Sequence, residues 1–216
     1  MKRNLQHSCA KKCMGELILL SSGVQMTKGN ALLRKYFGNQ NLEKKQILLI
    51  GDREPEWFAL CANAFTALGF DSSHIYTSQH YDLLSRAVNF DYLYMSEGNT
   101  FQQMNYLRTQ KWIPFIINAW QNGTAYIGVS AGAHIACISI RPAADFDDMG
   151  LYPTSDLCGL GLFDGVVIPH FHKHSQLRIA AQKKAVEYFS ESKVLTLSNS
   201  QMAVIHDSKI IIVDLN

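Results

Sequence analysis

Short apolar runs alternate along the chain with segments whose apolar residues recur at helical spacing. The runs LILLS at 17–21 and QILLI at 46–50 are continuous, which is typical of strands buried on both faces. Strands are predicted near 17–21, 46–50, 74–76, 92–95, 125–128, 165–168, 194–197, 202–206 and 210–213, and helices near 31–37, 57–68, 81–88, 112–120, 131–140 and 175–189. This alternation predicts an α/β fold with a mostly parallel sheet and helices on both faces. The last three strands are expected to close one edge of the sheet.

Length and charge narrow the class of protein. The chain has 216 residues, 47% of them hydrophobic, which predicts a single domain over 1–216. The basic start at 1–13 is expected to lie outside the core. Lys and Arg (20) nearly balance Asp and Glu (18), and no dense basic block is present, so nucleic acid is not an expected partner. No apolar run approaches the ~18 residues of a membrane span, so no membrane partner is expected.

Cysteine and histidine usage predicts neither a cofactor nor a metal. The five cysteines are scattered and odd in number, and no second pair completes a zinc site, which fits a reducing cytosol. The histidines at 170, 172 and 174 could bind a metal, but no carboxylate is fixed beside them. The expectation is therefore a cytoplasmic protein with no metal and no cofactor.

A serine between small residues is the main candidate for chemistry. Gly128-Val129-Ser130-Ala131-Gly132 fits G-x-S-x-G, the spacing of a sharp strand-to-helix turn called a nucleophile elbow. A hydroxyl at such a turn, with a helix N-terminus behind it, is placed for nucleophilic attack. An ordinary glycine-rich turn would give the same spacing.

Other strand ends supply partners for this serine. His170 follows the strand at 165–168 and is the candidate base. Asp145, Asp147 and Asp148 lie between the two, and at most one is expected to orient the base. An oxyanion hole needs two inward N–H groups, and the residue after the serine, Ala131, and the glycine of SEGNT, Gly98, are the candidates.

Three motifs in order resemble the aspartyl dipeptidase and cyanophycinase family of serine peptidases. They are GNTF at 98–101, GVSAGAH at 128–134 and IPHF at 168–171, and the resemblance extends over about residues 15–213. It implies a three-layer α/β sandwich like that of class I glutamine amidotransferases. It also implies Ser130 as nucleophile, His170 as base, and Gly98 and Ala131 as oxyanion donors. Counting from the histidine implies Asp148 as the acid, and counting from the serine implies Asp145 instead.

The chain departs from the family pattern at three places. Ser96-Glu97-Gly98 stands where the family usually has three glycines, and Asn199 stands where some members carry a glutamate acid. At the place of the family's arginine for a substrate aspartate, Arg178 or Lys173 could substitute or His174 could stand instead, so preference for N-terminal aspartate is expected to be weak or absent.

The resemblance implies a serine peptidase, dipeptidase-like, that hydrolyses short peptides through an acyl-enzyme. Two alternatives remain open at this stage. An α/β-hydrolase esterase has the same order of Ser, Asp and His, and a non-catalytic binding module has the same fold. A short peptide is the expected partner, and a homodimer is left open.

Overall fold

The structure is a computed structural model, and it describes residues 14–79, 89–150, 152, 155–207 and 209–215. Its strands are β1 Leu17–Leu20, β2 Ile47–Ile50, β3 Ile75–Thr77, β4 Tyr92–Met95, β5 Ala125–Val129, β6 Val166–Ile168, β7 Val194–Thr196, β8 Gln201–His206 and β9 Lys209–Asp214. Its α-helices are α1 Thr27–Phe37, α2 Pro55–Leu68, α3 Thr100–Thr109, α4 Trp112–Gln121, α5 Ala131–Ala136 and α6 Gln176–Phe189.

A seven-stranded sheet in the order β3-β2-β4-β5-β1-β8-β9 forms the middle layer. The first five strands in this order pair in parallel, and β8 and β9 continue the sheet antiparallel. Side chains of a strand point alternately to the two faces. Accordingly, Leu17 and Leu19 enter the core beneath α3, α4 and α5, whereas Ile18 and Leu20 enter the core beneath α1 and α2. The predicted three-layer α/β fold with a mostly parallel sheet is confirmed.

Local signals explain where several helices begin and end. Pro55 occupies the first turn of α2, and Gly69 ends that helix in the left-handed conformation, with φ of 113°. Asn99 caps α3 by accepting hydrogen bonds from the N–H groups of Phe101 and Gln102. The sequence pattern does not predict α3, because TFQQMNYLRT carries only a weak apolar stripe.

The prediction that the last three strands all close the main sheet is wrong for one of them. β7 pairs in parallel with β6 in a separate two-stranded sheet, because β8 already occupies the edge of β1. The helix predicted over 131–140 ends at Ala136, since Cys137 takes an extended conformation and forms a bridge to Phe163. The helix predicted over 81–88 lies outside the described residues, as does the segment 1–13.

The order of the strands fixes where a site can form. β5 lies between β4 and β1, and all three run in the same direction. The loops that follow these strands therefore meet at one edge of the sheet, the usual place for a site in an open parallel sheet. Within the described residues, no helix is long and apolar enough to cross a membrane.

Candidate active site

Ser130 occupies the sharp turn between β5 and α5. Its φ of 50° and ψ of −102° are rare for a residue with a side chain, and such strain clusters at functional sites. The Ser130 N–H donates to the carbonyl of Leu20 at 2.9 Å, which ties the turn to the end of β1. The turn needs glycine on both sides. A Cβ at Gly128 would lie 2.6 Å from the Gly132 carbonyl oxygen, and one at Gly132 would lie 2.5 Å from the Met95 carbonyl oxygen.

We expect Gly132→Ala to lower the free energy of unfolding by about 1–3 kcal/mol, because the added methyl group collides with backbone that cannot move aside cheaply. Urea unfolding followed by circular dichroism measures the change. An unaltered free energy of unfolding would show that the elbow has room for a methyl group.

His170 approaches the serine from the end of β6. Its Nε2 lies 2.9 Å from Ser130 Oγ, within hydrogen-bond distance. The residue has a φ of 55°, and its N–H donates to the buried hydroxyl of Ser21 at 2.9 Å. Ser21 in turn donates to the Leu197 carbonyl at 2.9 Å. The loops after β1, β6 and β7 are thus joined directly behind the histidine.

The other ring nitrogen of His170 contacts an amide rather than a carboxylate. His170 Nδ1 lies 2.6 Å from Asn199 Oδ1, in the loop between β7 and β8. An amide oxygen is only an acceptor, so this contact requires the proton on Nδ1. The tautomer then leaves Nε2 free to accept the Ser130 proton. The sequence places Asn199 where some family members carry a glutamate acid. An aspartate was nevertheless the predicted orienting residue, because a charged group stabilises the imidazolium.

The predicted aspartates have other partners in the structure. Asp145 forms an ion pair with Lys184 at 2.6 Å. Asp148 accepts a hydrogen bond from the Gly150 N–H at 2.7 Å through its carboxylate. Neither contacts His170, so the structure does not bring together the Ser-His-Asp set expected from the sequence. Two other carboxylates also have partners of their own: Glu97 accepts from Trp57, and Asp164 pairs with Lys193.

The loop at 147–148 braces the segment that carries the proposed oxyanion donor. The Asp147 carboxylate accepts from the Thr100 N–H at 2.8 Å, and the Asp148 carbonyl accepts from the Asn99 side chain at 2.8 Å. Both bonds end within two residues of Gly98. In the structure, these two residues therefore contact the SEGNT segment and not His170.

The two proposed oxyanion donors lie at the ends of neighbouring strands. Gly98 has φ of 124°, a conformation that side chains rarely adopt, and Ala131 is the first residue of α5, where an N–H has no partner within its own helix. The Gly132 N–H donates to the Ser96 carbonyl at 3.1 Å, which joins the two segments. Glu97, beside Gly98, is anchored by hydrogen bonds from Trp57 Nε1 at 2.7 Å and from the side chain of Gln25.

Comparison with known proteins agrees with this geometry. A model of peptidase family S51 matches residues 17–213. The chain belongs to peptidase family S51. The family resemblance inferred from the three motifs is thereby confirmed.

Individual relatives of this S51 chain cover different shares of it. Peptidase E of Nostoc sp. is 33% identical over 102 residues, which are 47% of this chain and 39% of that protein. The chain thus aligns with well under half of the length of that relative. An uncharacterized peptidase of Pasteurella multocida is 28% identical over 153 residues, covering 69% of this chain and 73% of that one.

Solved structures share the fold of this S51 chain. A crystal structure of a Listeria monocytogenes EGD-e protein assigned to Peptidase E superposes with a TM-score of 0.73 at 21% identity, covering 94% of this chain and all (100%) of that one. A peptidase from an acI-B1 Actinobacterium superposes with a TM-score of 0.64 at 16% identity, covering 94% and 89% of the two chains.

Buried and charged groups around the S51 site set the protonation of its histidines. Burial lowers the pKa of His170 below 6.5, the nearby Arg178 lowers it further, and the bond to Asn199 and the charge of Asp147 oppose the shift. Burial also lowers the pKa of His134, one turn beyond Ser130, to about 3, so His134 is neutral at pH 7. Both imidazoles are thus neutral near pH 7.

The other histidines of the H-x-H-x-H segment do not converge with His170. His172 and His174 are exposed, and their rings lie 5.2 Å apart. Across the residues that the structure describes, no group of three His, Cys, Asp or Glu side chains is arranged to hold a metal ion.

Proposed function

We propose that this chain is a serine peptidase that hydrolyses short peptides, with Ser130 as nucleophile, His170 as base and Asn199 as the residue that orients the base. The proposal rests above all on the distance of 2.9 Å between Ser130 Oγ and His170 Nε2. Membership of family S51 supports the same reaction class. That membership favours a peptidase over the α/β-hydrolase esterase.

The proposed reaction proceeds through an acyl-enzyme. His170 Nε2 takes the Ser130 proton as Oγ attacks the scissile carbonyl, and the N–H groups of Gly98 and Ala131 receive the developing oxyanion. The imidazolium then donates its proton to the leaving amine as the C–N bond breaks. A water molecule, deprotonated by His170, then attacks the ester carbonyl, and His170 returns the proton to Ser130 Oγ as the ester C–O bond breaks and the acyl product leaves as a carboxylic acid.

Asn199 supports these reaction steps without carrying a charge. Its Oδ1 accepts the Nδ1 proton, which holds the ring in the tautomer whose Nε2 can accept from serine. A neutral amide stabilises imidazolium less than a carboxylate does, because it adds a dipole instead of a full charge. The Asn199 contact is therefore expected to contribute mainly through tautomer and orientation.

The size of the substrate follows from the chain around the site. The loop over 146–150 is bound to the SEGNT segment by the contacts of Asp147 and Asp148, so it lies beside the proposed oxyanion donor Gly98. A loop fixed there leaves little length for a long cleft. Short peptides are therefore the proposed substrates, and a cytoplasmic location and a homodimer stay predictions.

Hydrolysis assays can separate the proposed reaction from its alternatives. Purified protein is incubated with a panel of dipeptides and tripeptides, beside a panel of aryl esters, and with a fluorophosphonate that labels activated serines. Peptide cleavage with labelling of Ser130 supports the proposal. Ester cleavage that outruns peptide cleavage would favour an esterase, and the absence of both cleavage and labelling would favour a binding module.

The rate should depend on pH through His170, which must be neutral to accept the serine proton. Protonation at low pH removes the base. Because burial lowers the pKa of His170 below 6.5, we expect the acid limb of kcat/KM to have its midpoint below pH 6.5. A profile of kcat/KM for Ala-Leu against pH measures this midpoint. A midpoint above pH 6.5 would mean that the base is not the buried His170.

A further inference from the structure

Arg178 is a cation beside the site that the proposed reaction does not use. It lies in the first turn of α6, where Ser175 caps the helix by accepting from the Arg178 N–H at 3.3 Å. Its guanidinium carbon lies 3.5 Å from the centre of the Phe146 ring. Among the residues that the structure describes, no carboxylate pairs with the guanidinium and no acceptor receives a hydrogen bond from it. The side chain is only partly buried, so a ligand can reach it.

Packing places this guanidinium near the reacting groups. The ring of Phe146 lies 6.2 Å from the ring of His134, which is one helical turn beyond Ser130. Phe146 therefore packs near both α5 and Arg178. The charge of Arg178 is close enough to lower the pKa of both His134 and His170, which agrees with this placement.

The nearest acid does not neutralise Arg178 by direct contact. Asp147 is close enough to oppose the effect of burial on the Arg178 pKa. Its carboxylate, however, accepts from the Thr100 N–H on the other side of the loop. The guanidinium lies over the Phe146 ring, and its hydrogen-bond donors remain available for another carboxylate, which an arginine can bind in a bidentate manner.

The chemistry of the leaving group indicates which carboxylate this is. His170 must donate its proton to the leaving amine, so the leaving amino acid lies on the His170 side of the scissile bond. In a dipeptide, the carbon next to that amine also carries the C-terminal carboxylate. We propose that Arg178 binds this C-terminal carboxylate, which selects dipeptides over longer or amidated peptides. The inference rests on the proposed function, because it uses the proposed positions of nucleophile and base.

The test compares a free and a blocked carboxylate on the same dipeptide. We expect wild-type protein to prefer Ala-Leu to Ala-Leu amide by about 20-fold in kcat/KM, the size of a typical charge-assisted hydrogen bond. Arg178→Gln should lose about 20-fold on Ala-Leu and almost nothing on Ala-Leu amide. Arg178→Lys, which keeps the charge without the planar fork, should recover part of the loss.

Arg141→Gln is the matched control. Arg141 also stacks on an aromatic ring, at 4.9 Å from the centre of Tyr188, but Tyr188 lies at the far end of α6. This variant should keep the wild-type preference for the free carboxylate. Equal losses on Ala-Leu and on its amide in Arg178→Gln would overturn the proposal. The proposal would also be overturned if Arg178→Gln lowered kcat/KM on Asp-Leu amide but not on Ala-Leu amide. Arg178 would then bind the side chain of the N-terminal residue.

A binding measurement keeps this test separate from the proposed reaction. In protein that also carries Ser130→Ala, Ala-Leu should bind about 20-fold more tightly than Ala-Leu amide, and Arg178→Gln should remove that difference. If the wild-type protein cleaves no peptide but the binding difference is found, the peptidase proposal fails and the carboxylate site stands. If Ala-Leu and its amide bind equally, the carboxylate site fails whatever the activity.

Discussion

Replacing Ser130 with alanine is expected to lower kcat/KM for dipeptides by about 10⁴-fold, the usual consequence of losing a nucleophile from a catalytic triad. The substitution removes one hydroxyl group that contacts His170 Nε2 and adds no atom to the turn. The free energy of unfolding should therefore change little. Steady-state assays on Ala-Leu, together with urea unfolding of both proteins, measure the two quantities.

Ser192→Ala is the control for this prediction, because Ser192 is an exposed hydroxyl on the 3-10 turn before β7. It should retain wild-type kcat/KM and wild-type labelling by a fluorophosphonate. If folded Ser130→Ala protein retained near-normal turnover, the nucleophile would have to be another residue.

The fold was predictable because its signals are local. Continuous apolar runs of four or five residues identify strands that are buried on both faces, and four of the five parallel strands of the main sheet, β1, β2, β4 and β5, lie on such runs. The elbow was predictable for the same reason. The spacing of Gly128, Ser130 and Gly132 encodes a turn so tight that a Cβ on either glycine would meet backbone.

The proposed orienting residue, Asn199, was not predictable, because its position depends on a long-range pairing. His170 and Asn199 follow two strands, β6 and β7, that form a separate two-stranded sheet, and the Phe171 N–H donates to the Leu197 carbonyl just beyond them. Nothing in the apolar pattern distinguishes this small sheet from an edge of the main one. The three aspartates at 145–148 were attractive because a carboxylate stabilises imidazolium, but their loop folds against SEGNT and Lys184.

The same contacts predict a substitution that decides whether Asn199 or an aspartate of the loop at 145–148 orients His170. Asn199→Leu removes the acceptor at His170 Nδ1 and frees the ring to turn or to change tautomer. We expect kcat/KM on Ala-Leu to fall about 10²-fold, the cost of misplacing a catalytic group by about 1 Å. Asp148→Asn and Asp145→Asn should each change kcat/KM only a few-fold, because neither side chain contacts the histidine. If Asp148→Asn or Asp145→Asn lost more activity than Asn199→Leu, an aspartate of the loop at 145–148 would be the residue that orients the base.

Asn199→Asp tests the same contact through pH. A carboxylate 2.6 Å from Nδ1 would stabilise imidazolium, so the pKa of His170 should rise above its value in the wild-type protein. Since the base works only when it is neutral, the acid limb of kcat/KM should move to higher pH. An acid limb that stayed in place would mean that residue 199 does not contact the catalytic base. Activity at pH 8, where His170 is neutral in both proteins, should be kept or increased, because the carboxylate preserves the tautomer and adds a charge that favours the imidazolium formed during attack.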